Sequence, residues 1–254
     1  MVGLLNLIAV AGTAILSVRL FLSGLYRRYW AFFLYLIFAT LREGFVSGIN
    51  PSKSLYMHFW VLTEPLEWLF FVLVVLELYG LVLQDYRGLS TVGRWALVTA
   101  VVVALAASSL TLLAPSHSTI QGPLLAFYYQ AERAVYFSLV VFLLTILGVL
   151  MQYPISLNRN IIVHSVVFSI YFLGFTMVYV LLSTHGYVAS LMEATQDAAG
   201  VINIAALATW LLMLTPAGEL RKVRLRPAWM PGREEDLVGH LNHLNAALLR
   251  ATRK

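Results

Sequence analysis

Long apolar segments constrain the fold of this chain more than any other feature of its sequence. A helix that crosses a membrane needs roughly 20 mostly apolar residues. Seven segments qualify, and they are Val2–Leu22, Tyr29–Ser47, Tyr56–Leu83, Trp95–Ala114, Leu125–Met151, Ile161–Ser183 and Ala198–Leu214. None of them alternates apolar and polar residues, as the strands of a membrane β-barrel do. The sequence therefore predicts an all-α polytopic membrane protein with seven transmembrane helices.

The composition supports this class and excludes several others. Of the 254 residues, 60% are hydrophobic and only 11% are charged, whereas a soluble domain carries about a quarter charged residues. The chain has no cysteine, which excludes disulfides, thiolate catalysis and cysteine-ligated metal sites. The net charge of +5 comes mostly from basic loops and the tail. Membrane topology explains that distribution, so we expect no nucleic-acid partner.

The basic residues also predict an orientation. One side of the predicted bundle collects Arg27, Arg28, Arg87, Arg94 and Arg159, together with Arg221, Lys222, Arg224 and Arg226 of the tail, while the other side has only Lys53. Because short cytoplasmic loops are enriched in Lys and Arg, we expect the N-terminus outside and the C-terminus in the cytoplasm. The sequence has no acceptor site for N-glycosylation, which is compatible with an integral protein of a bacterial cytoplasmic membrane.

The chain divides into two predicted regions. Residues 1–218 form the seven-helix transmembrane domain, and residues 219–254 form a basic cytoplasmic tail. A short amphipathic helix is expected in the tail from about Glu234, because its leucines recur at helical spacing. Those leucines are Leu237, Leu241, Leu244 and Leu248. We expect this helix to dock on the chain itself or on a cytoplasmic partner.

Six ionisable residues are predicted at similar depth in the outer half of the membrane, and they are Arg42, Glu43, Glu64, Glu67, Glu132 and Arg133. Buried charges must be paired or neutralised by protons, and four carboxylates exceed two guanidiniums. An outward-facing site for a ligand or a proton is one interpretation. The alternative is a set of ion pairs that fix helix packing, with Arg42 bound to Glu64 or Glu67 and Arg133 bound to Glu43.

Other candidate positions are weaker. Glu77 and His164 lie at comparable depth near the cytoplasmic side, where they could form an inner proton relay or serve separate structural roles. Gly44 and Gly48 form a Gly-x-x-x-Gly pattern that permits close helix approach, within the chain or to a membrane partner. The histidines show no metal-ligand spacing. We therefore expect no metal site and no cofactor.

The predicted topology resembles that of microbial rhodopsins and G-protein-coupled receptors. A retinal Schiff base is excluded, because the three lysines of the chain, Lys53, Lys222 and Lys254, lie outside the seventh span. The third span ends in Gln84-Asp85-Tyr86-Arg87 rather than in the receptor signature Asp/Glu-Arg-Tyr. The arrangement is also similar to the seven-helix sensor modules that precede bacterial signalling enzymes, and that resemblance implies a sensory role.

These observations favour a non-enzymatic sensor or receptor-like membrane protein, with the outer charged layer as its site and the tail as its output. No nucleophile, base or metal motif indicates an enzyme. A small, proton-coupled transporter is the first alternative. Pro65, next to Glu64, is the only mark of a broken helix, and it is expected in the first turns, where proline is tolerated. An accessory subunit of a larger membrane complex is the second alternative.

Overall fold

A computed structural model describes residues 2–49, 53–84, 91, 95, 97–103, 106, 123–152, 156–185, 189–224 and 233–251. These residues are almost entirely helical. The long helices are α1 (Val2–Leu22), α2 (Trp30–Ile49), α3 (Lys53–Val82), α4 (Pro123–Gln152), α5 (Arg159–His185), α6 (Ala189–Met213) and α8 (Arg233–Ala251). Shorter elements are a 3-10 turn (Leu25–Arg27), the strands β1 (Ser156–Asn158) and β2 (Lys222–Arg224), and the one-turn helix α7 (Pro216–Leu220).

Six of the long helices pack side by side in a closed ring. Among the described elements, α1 contacts α2 and α6, α2 contacts α3, α3 contacts α4, α4 contacts α5, and α5 contacts α6. A further contact between α3 and α5 fills the centre. Large aromatic side chains occupy that centre, with Phe32, Phe71, Phe168, Phe172 and Trp210 each at most 2% exposed. We call the end of the ring that carries Tyr29 and Glu219 the tail end.

Large apolar side chains on the outside of the ring fit a membrane environment. Leu7, Leu41, Leu62 and Leu212 are 63 to 79% exposed, a pattern that water would penalise and lipid tails accept. Four helices are long and apolar enough to cross a membrane, over Leu5–Leu22, Leu55–Val82, Arg159–Leu181 and Glu193–Met213. The chain therefore has the helices of an integral membrane protein.

The seven predicted spans correspond unevenly to the described helices. The four spanning helices coincide with the first, third, sixth and seventh predicted spans. The second and fifth predicted spans coincide with helices α2 and α4. Most of the fourth predicted span, Trp95–Ala114, lies outside the described residues. The part of it that is described includes residues 97–103, which are helical. The full set of seven spans and its orientation stay predictions.

Small residues bring α1 and α6 close together. A β-carbon placed on Gly12 would lie 3.3 Å from Leu207 Cδ1, and one on Gly200 would lie 3.2 Å from Leu5 Cδ1. Glycines at such positions let membrane helices approach closely. Gly44, by contrast, has open space around the position of a β-carbon, so the glycines that hold this ring together differ from the Gly44/Gly48 pair selected from the sequence. Gly48 lies outside the residues whose side chains are described.

The tail end contains a small element that the hydropathy pattern did not predict. Strands β1 and β2 pair antiparallel, with Ser156 opposite Arg224 and Asn158 opposite Lys222. The amide of Arg159 donates a further hydrogen bond to the carbonyl of Arg221 at 3.0 Å. The basic segment after the last spanning helix is thereby fastened beside the start of α5. The predicted tail helix, expected from about Glu234, is present as α8 and begins at Arg233.

Candidate functional site

Arg42 on α2 binds two carboxylates of the neighbouring helix α3. Its Nη2 donates to Glu64 Oε2 at 2.6 Å, and its Nη1 donates to Glu67 Oε2. Glu64 and Glu67 are three residues apart, so they share a helix face as the sequence predicts. The side chain of Glu64 is only 3% exposed and that of Arg42 is 12% exposed. The Arg42 guanidinium is therefore shared between two largely buried carboxylates.

Glu132 on α4 completes this arrangement from the opposite side. It is 4% exposed, and its Oε1 accepts a hydrogen bond from the Tyr136 hydroxyl at 3.3 Å and another from the Tyr179 hydroxyl of α5. Its carboxyl group also interacts with the Glu64 carboxyl group. We call Arg42, Glu64, Glu67, Glu132, Tyr136 and Tyr179 the carboxyl network. It joins α2, α3, α4 and α5 in the half of the ring that faces away from the tail end.

The charges of the network do not balance when every group is ionised. It contains three carboxyl groups and one guanidinium, and burial makes a surplus charge costly. An ionised carboxylate can only accept hydrogen bonds. A direct hydrogen bond between Glu64 and Glu132 therefore requires a proton on one of them. The network can hold a proton at this pair without any further ligand.

Pro65 lies deeper within its helix than the sequence predicts, and there it contributes to the site. Because α3 begins at Lys53, Pro65 lies inside the helix rather than in its first turns. Proline has no backbone N–H, so the carbonyl four residues earlier, that of Val61, loses its helical donor. The Tyr128 hydroxyl of α4 donates to this carbonyl at 2.9 Å. A break in the helical hydrogen bonding thus fastens α3 to α4 beside Glu64.

Glu43 and Arg133 are the two predicted site residues that are not members of the carboxyl network. Each follows a network residue directly in the chain, Arg42 on α2 and Glu132 on α4. Successive side chains on a helix diverge by about 100°. Both side chains are partly exposed. The structure therefore brings four of the six predicted site residues together, whereas an ion pair between Glu43 and Arg133 stays a prediction.

Glu77 binds the first turn of a neighbouring helix. Its Oε1 accepts from the Ala31 amide at 2.9 Å, and its Oε2 accepts from the Phe32 amide at 3.3 Å. The first amides of a helix have no partner within the helix, and a carboxylate there also interacts favourably with the helix dipole. Glu77 of α3 therefore caps the N-terminus of α2 from outside that helix.

His164 lies in an aromatic box at the same depth. The imidazole is 0% exposed, and its ring centre lies 4.6 Å from that of Phe32, 4.7 Å from Tyr29 and 6.1 Å from Trp210. Neither ring nitrogen has a hydrogen-bond partner among the described residues. Glu77 and His164 have separate surroundings, and the relay between them stays a prediction.

A second polar cluster, at the tail end, was missed in the sequence. Glu219 of α7 accepts from the Tyr29 hydroxyl at 2.5 Å and from the Asn160 amide at 2.8 Å, both at Oε1. Its Oε2 accepts from the side-chain amide of Asn158 at 3.1 Å and lies 2.9 Å from Arg28 Nε. The latter contact is an ion pair by distance, because the geometry at that nitrogen is poor for a hydrogen bond. We call these five residues the tail clamp.

The backbone around the clamp is shaped to admit Asn160. The Asn160 amide also donates to the Thr215 carbonyl at 2.8 Å, and the Thr215 hydroxyl caps α7 by accepting from the Gly218 amide at 3.1 Å. A β-carbon at Gly218 would overlap the Asn160 side chain. Only glycine therefore fits at this position beside the clamp.

The functional residues that were not predicted differ in whether the sequence carries a signal for them. Tyr128, Glu132 and Tyr136 recur every four residues, which places them on one face of α4. This spacing could have indicated Tyr136 as a partner of Glu132 and Tyr128 as a neighbour of the site. Glu219 carries no such signal, because its partners come from the loop before α2 and from the start of α5.

Comparison with known proteins adds no relative. No protein-family model matches the sequence, and no curated protein or solved structure is significantly similar to it. Among the described residues, no group of three or more His, Asp or Glu side chains is arranged to hold a metal ion. The carboxyl network and the tail clamp are therefore the features of this chain that bear on its function.

Proposed function

We propose that this chain is a non-enzymatic, proton-responsive sensor in a membrane, with the carboxyl network as its site and the tail as its output. The observation that carries the proposal is that Glu64 and Glu132 are buried and interact with each other, while one guanidinium serves the carboxyl groups of the network. A proton bound there holds α3 and α4 together. Its loss leaves two adjacent carboxylates, which repel each other in a poorly solvated site.

Several charged and titratable groups set the response of this pair. Arg42 of α2 faces it with a positive charge, and Glu67 of α3 competes for the same guanidinium. Tyr136 of α4 and Tyr179 of α5 donate to Glu132. Glu43 on α2 adds a further negative charge nearby. Since Arg42 already serves two carboxylates, it has limited capacity to compensate for a third.

A continuous set of contacts leads from the network to the tail. Glu64 and Glu67 lie on α3, and Glu77 on the same helix holds the first amides of α2. Arg28 and Tyr29 come immediately before α2 and bind Glu219. Glu219 is the first residue of the tail and lies just before β2. A shift of α3 on proton loss would therefore be transmitted through the start of α2 to the clamp, a two-state motion of packed helices.

A spin-label distance measurement tests this response. The chain has no cysteine, so labels at Arg27→Cys and Arg250→Cys, both exposed positions, would report the distance from the tail helix to the loop before α2. We expect the distance distribution in lipid vesicles to shift between acidic and alkaline pH. Glu132→Gln should abolish the shift, because the amide cannot lose a proton.

Glu193→Gln is the matched control for that experiment, since Glu193 is an exposed acid of α6. It should leave the shift unchanged. The proposal would be contradicted if the distance between the two labels did not depend on pH in the chain with an intact carboxyl network. It would also be contradicted if the shift persisted in Glu132→Gln.

Proton-coupled transport is the second candidate. Pro65 inside α3, with its freed Val61 carbonyl, places a broken helix next to Glu64, and transporter sites are commonly built at such breaks. Proton flux into dye-loaded vesicles that contain the purified chain would distinguish the two candidates, because a sensor moves no protons across the membrane.

A further inference from the structure

An apolar groove runs between α5 and α6 on the outer surface of the ring. Its volume is about 440 Å³. Its lining includes Ile162, Val166 and Ile170 of α5 and Val201, Ala205 and Met213 of α6. Ile170 and Val201 are 63% and 56% exposed, so the groove is open to the surroundings of the helix pair. Both helices are long and apolar enough to span a membrane, so an apolar groove between them is suited to contact with lipid.

The groove has a closed end and an open end. At the end of the groove that is farther from the tail end, the two helices touch. A β-carbon on Gly174 would lie 2.8 Å from Ile202 Cδ1. Towards the tail end the lining includes Ala205, whose small side chain leaves space between the helices. The lining runs from Ile162 to Tyr171 on α5 and from Val201 to Met213 on α6, which is about 14–18 Å along the helices and about half of a roughly 30 Å hydrocarbon core. The groove thus matches the depth of one leaflet.

Positive charges stand at the open end. Arg159 precedes Ile162 by three residues, so it lies on the same face of α5 one turn closer to the tail end. Its amide is bonded to the carbonyl of Arg221, whose side chain is exposed, as is that of Lys222. The acid of this segment, Glu219, is held by Arg28 and the other clamp residues. The backbones of three cationic residues, Arg159, Arg221 and Lys222, are therefore adjacent at this end of the groove.

We propose that this groove is a binding site for an anionic phospholipid of the leaflet on the tail side. One acyl chain occupies the groove, and the phosphate lies among Arg159, Arg221 and Lys222. The match of groove length to one leaflet favours a lipid over a helix of a second copy, which would continue past the contact at Gly174. The charge at the mouth favours an anionic head group. The site is separate from the carboxyl network and does not depend on the proposed function.

Native mass spectrometry with a defined lipid tests the site. The purified full chain is titrated with palmitoyl-oleoyl phosphatidylglycerol or with the corresponding phosphatidylcholine in mild detergent. We expect one phosphatidylglycerol to be retained per chain, with phosphatidylcholine binding much more weakly. Replacing two of the cations, in Arg159→Gln/Lys222→Gln, should weaken phosphatidylglycerol binding about 30-fold, since each juxtamembrane charge contributes about 1 kcal/mol.

Matched variants separate a specific site from general lipid contact. Ala205→Leu fills the groove and should weaken binding about tenfold. Ala208→Leu makes the same change one turn away, at an exposed position outside the groove lining, and should have no effect. Arg27→Gln removes an exposed charge at the same end and should also have none. Melting temperatures of all variants verify folding.

Three outcomes would overturn the proposal. One is equal retention of the two lipids, and another is equal retention by Ala205→Leu and Ala208→Leu. The third is a dimer that is lost specifically in Ala205→Leu, which would assign the groove to a second copy of the chain.

Discussion

Arg42→Gln is expected to lower the free energy of unfolding by about 3–5 kcal/mol, the range found when one partner of a buried ion pair is removed. The substitution leaves Glu64 and Glu67 without their shared cation, next to Glu132. Glutamine is close to arginine in its apolar stem and can donate only through its amide. The loss therefore reports uncompensated negative charge rather than a cavity. Reversible unfolding in mixed micelles measures it.

A second substitution distinguishes charge from shape in this experiment. Adding Glu67→Gln to Arg42→Gln removes one of the stranded carboxylates and should recover part of the lost stability. Arg27→Gln is the control, because Arg27 is exposed, and exposed sites change stability by less than about 0.5 kcal/mol. A loss below about 1 kcal/mol in Arg42→Gln would show that the network does not depend on its cation.

Glu219→Ala is expected to release the tail segment from the ring. Three hydrogen-bond donors and Arg28 lose their common acceptor, and hydrogen bonds to a charged group contribute about 1.5–3 kcal/mol. Because Arg28 is 35% exposed and can be rehydrated, we expect a total loss of about 2–3 kcal/mol, concentrated at this end of the molecule.

Limited proteolysis by trypsin measures that release, since Arg221 and Lys222 lie directly after the clamp. A local loss of about 2 kcal/mol raises the open population, and hence the cleavage rate, about 30-fold. Glu193→Ala, which removes an exposed acid of α6, should leave the rate unchanged. An unaltered cleavage rate in Glu219→Ala would show that β1 and β2 hold the tail without the clamp.

Some of this site could be predicted because it depends on helix periodicity and depth. Glu64 and Glu67 are three residues apart and therefore share a helix face. The predicted direction of each helix across the membrane placed Arg42 and Glu132 at the same depth. The position of each residue along its predicted helix was enough to predict that the four side chains lie close together. Glu43 and Arg133 each directly follow a network residue in the chain, and their part in the site stays a prediction.

The remaining features depend on tertiary contacts that leave no periodic signal. Glu77 caps a helix that lies 46 residues earlier in the chain, so the sequence around it gives no hint of its partner. The clamp is formed by residues of a loop, a three-residue strand, a one-turn helix and the first turn of α5. The first three of these elements are too short to produce a hydropathy pattern. Pro65 was misplaced because α3 extends beyond its apolar part to Lys53.

Infrared difference spectroscopy of the purified chain in lipid tests most directly whether the Glu64–Glu132 pair holds a proton. A protonated carboxyl group absorbs in a separate region from carboxylates and amides, and it shifts when deuterium replaces the proton. We expect one such band to disappear between acidic and alkaline pH, and to be absent in both Glu64→Gln and Glu132→Gln but retained in Glu193→Gln. A pH-dependent band that persists in both network variants, or the absence of any band at acidic pH, would contradict a proton shared by this pair.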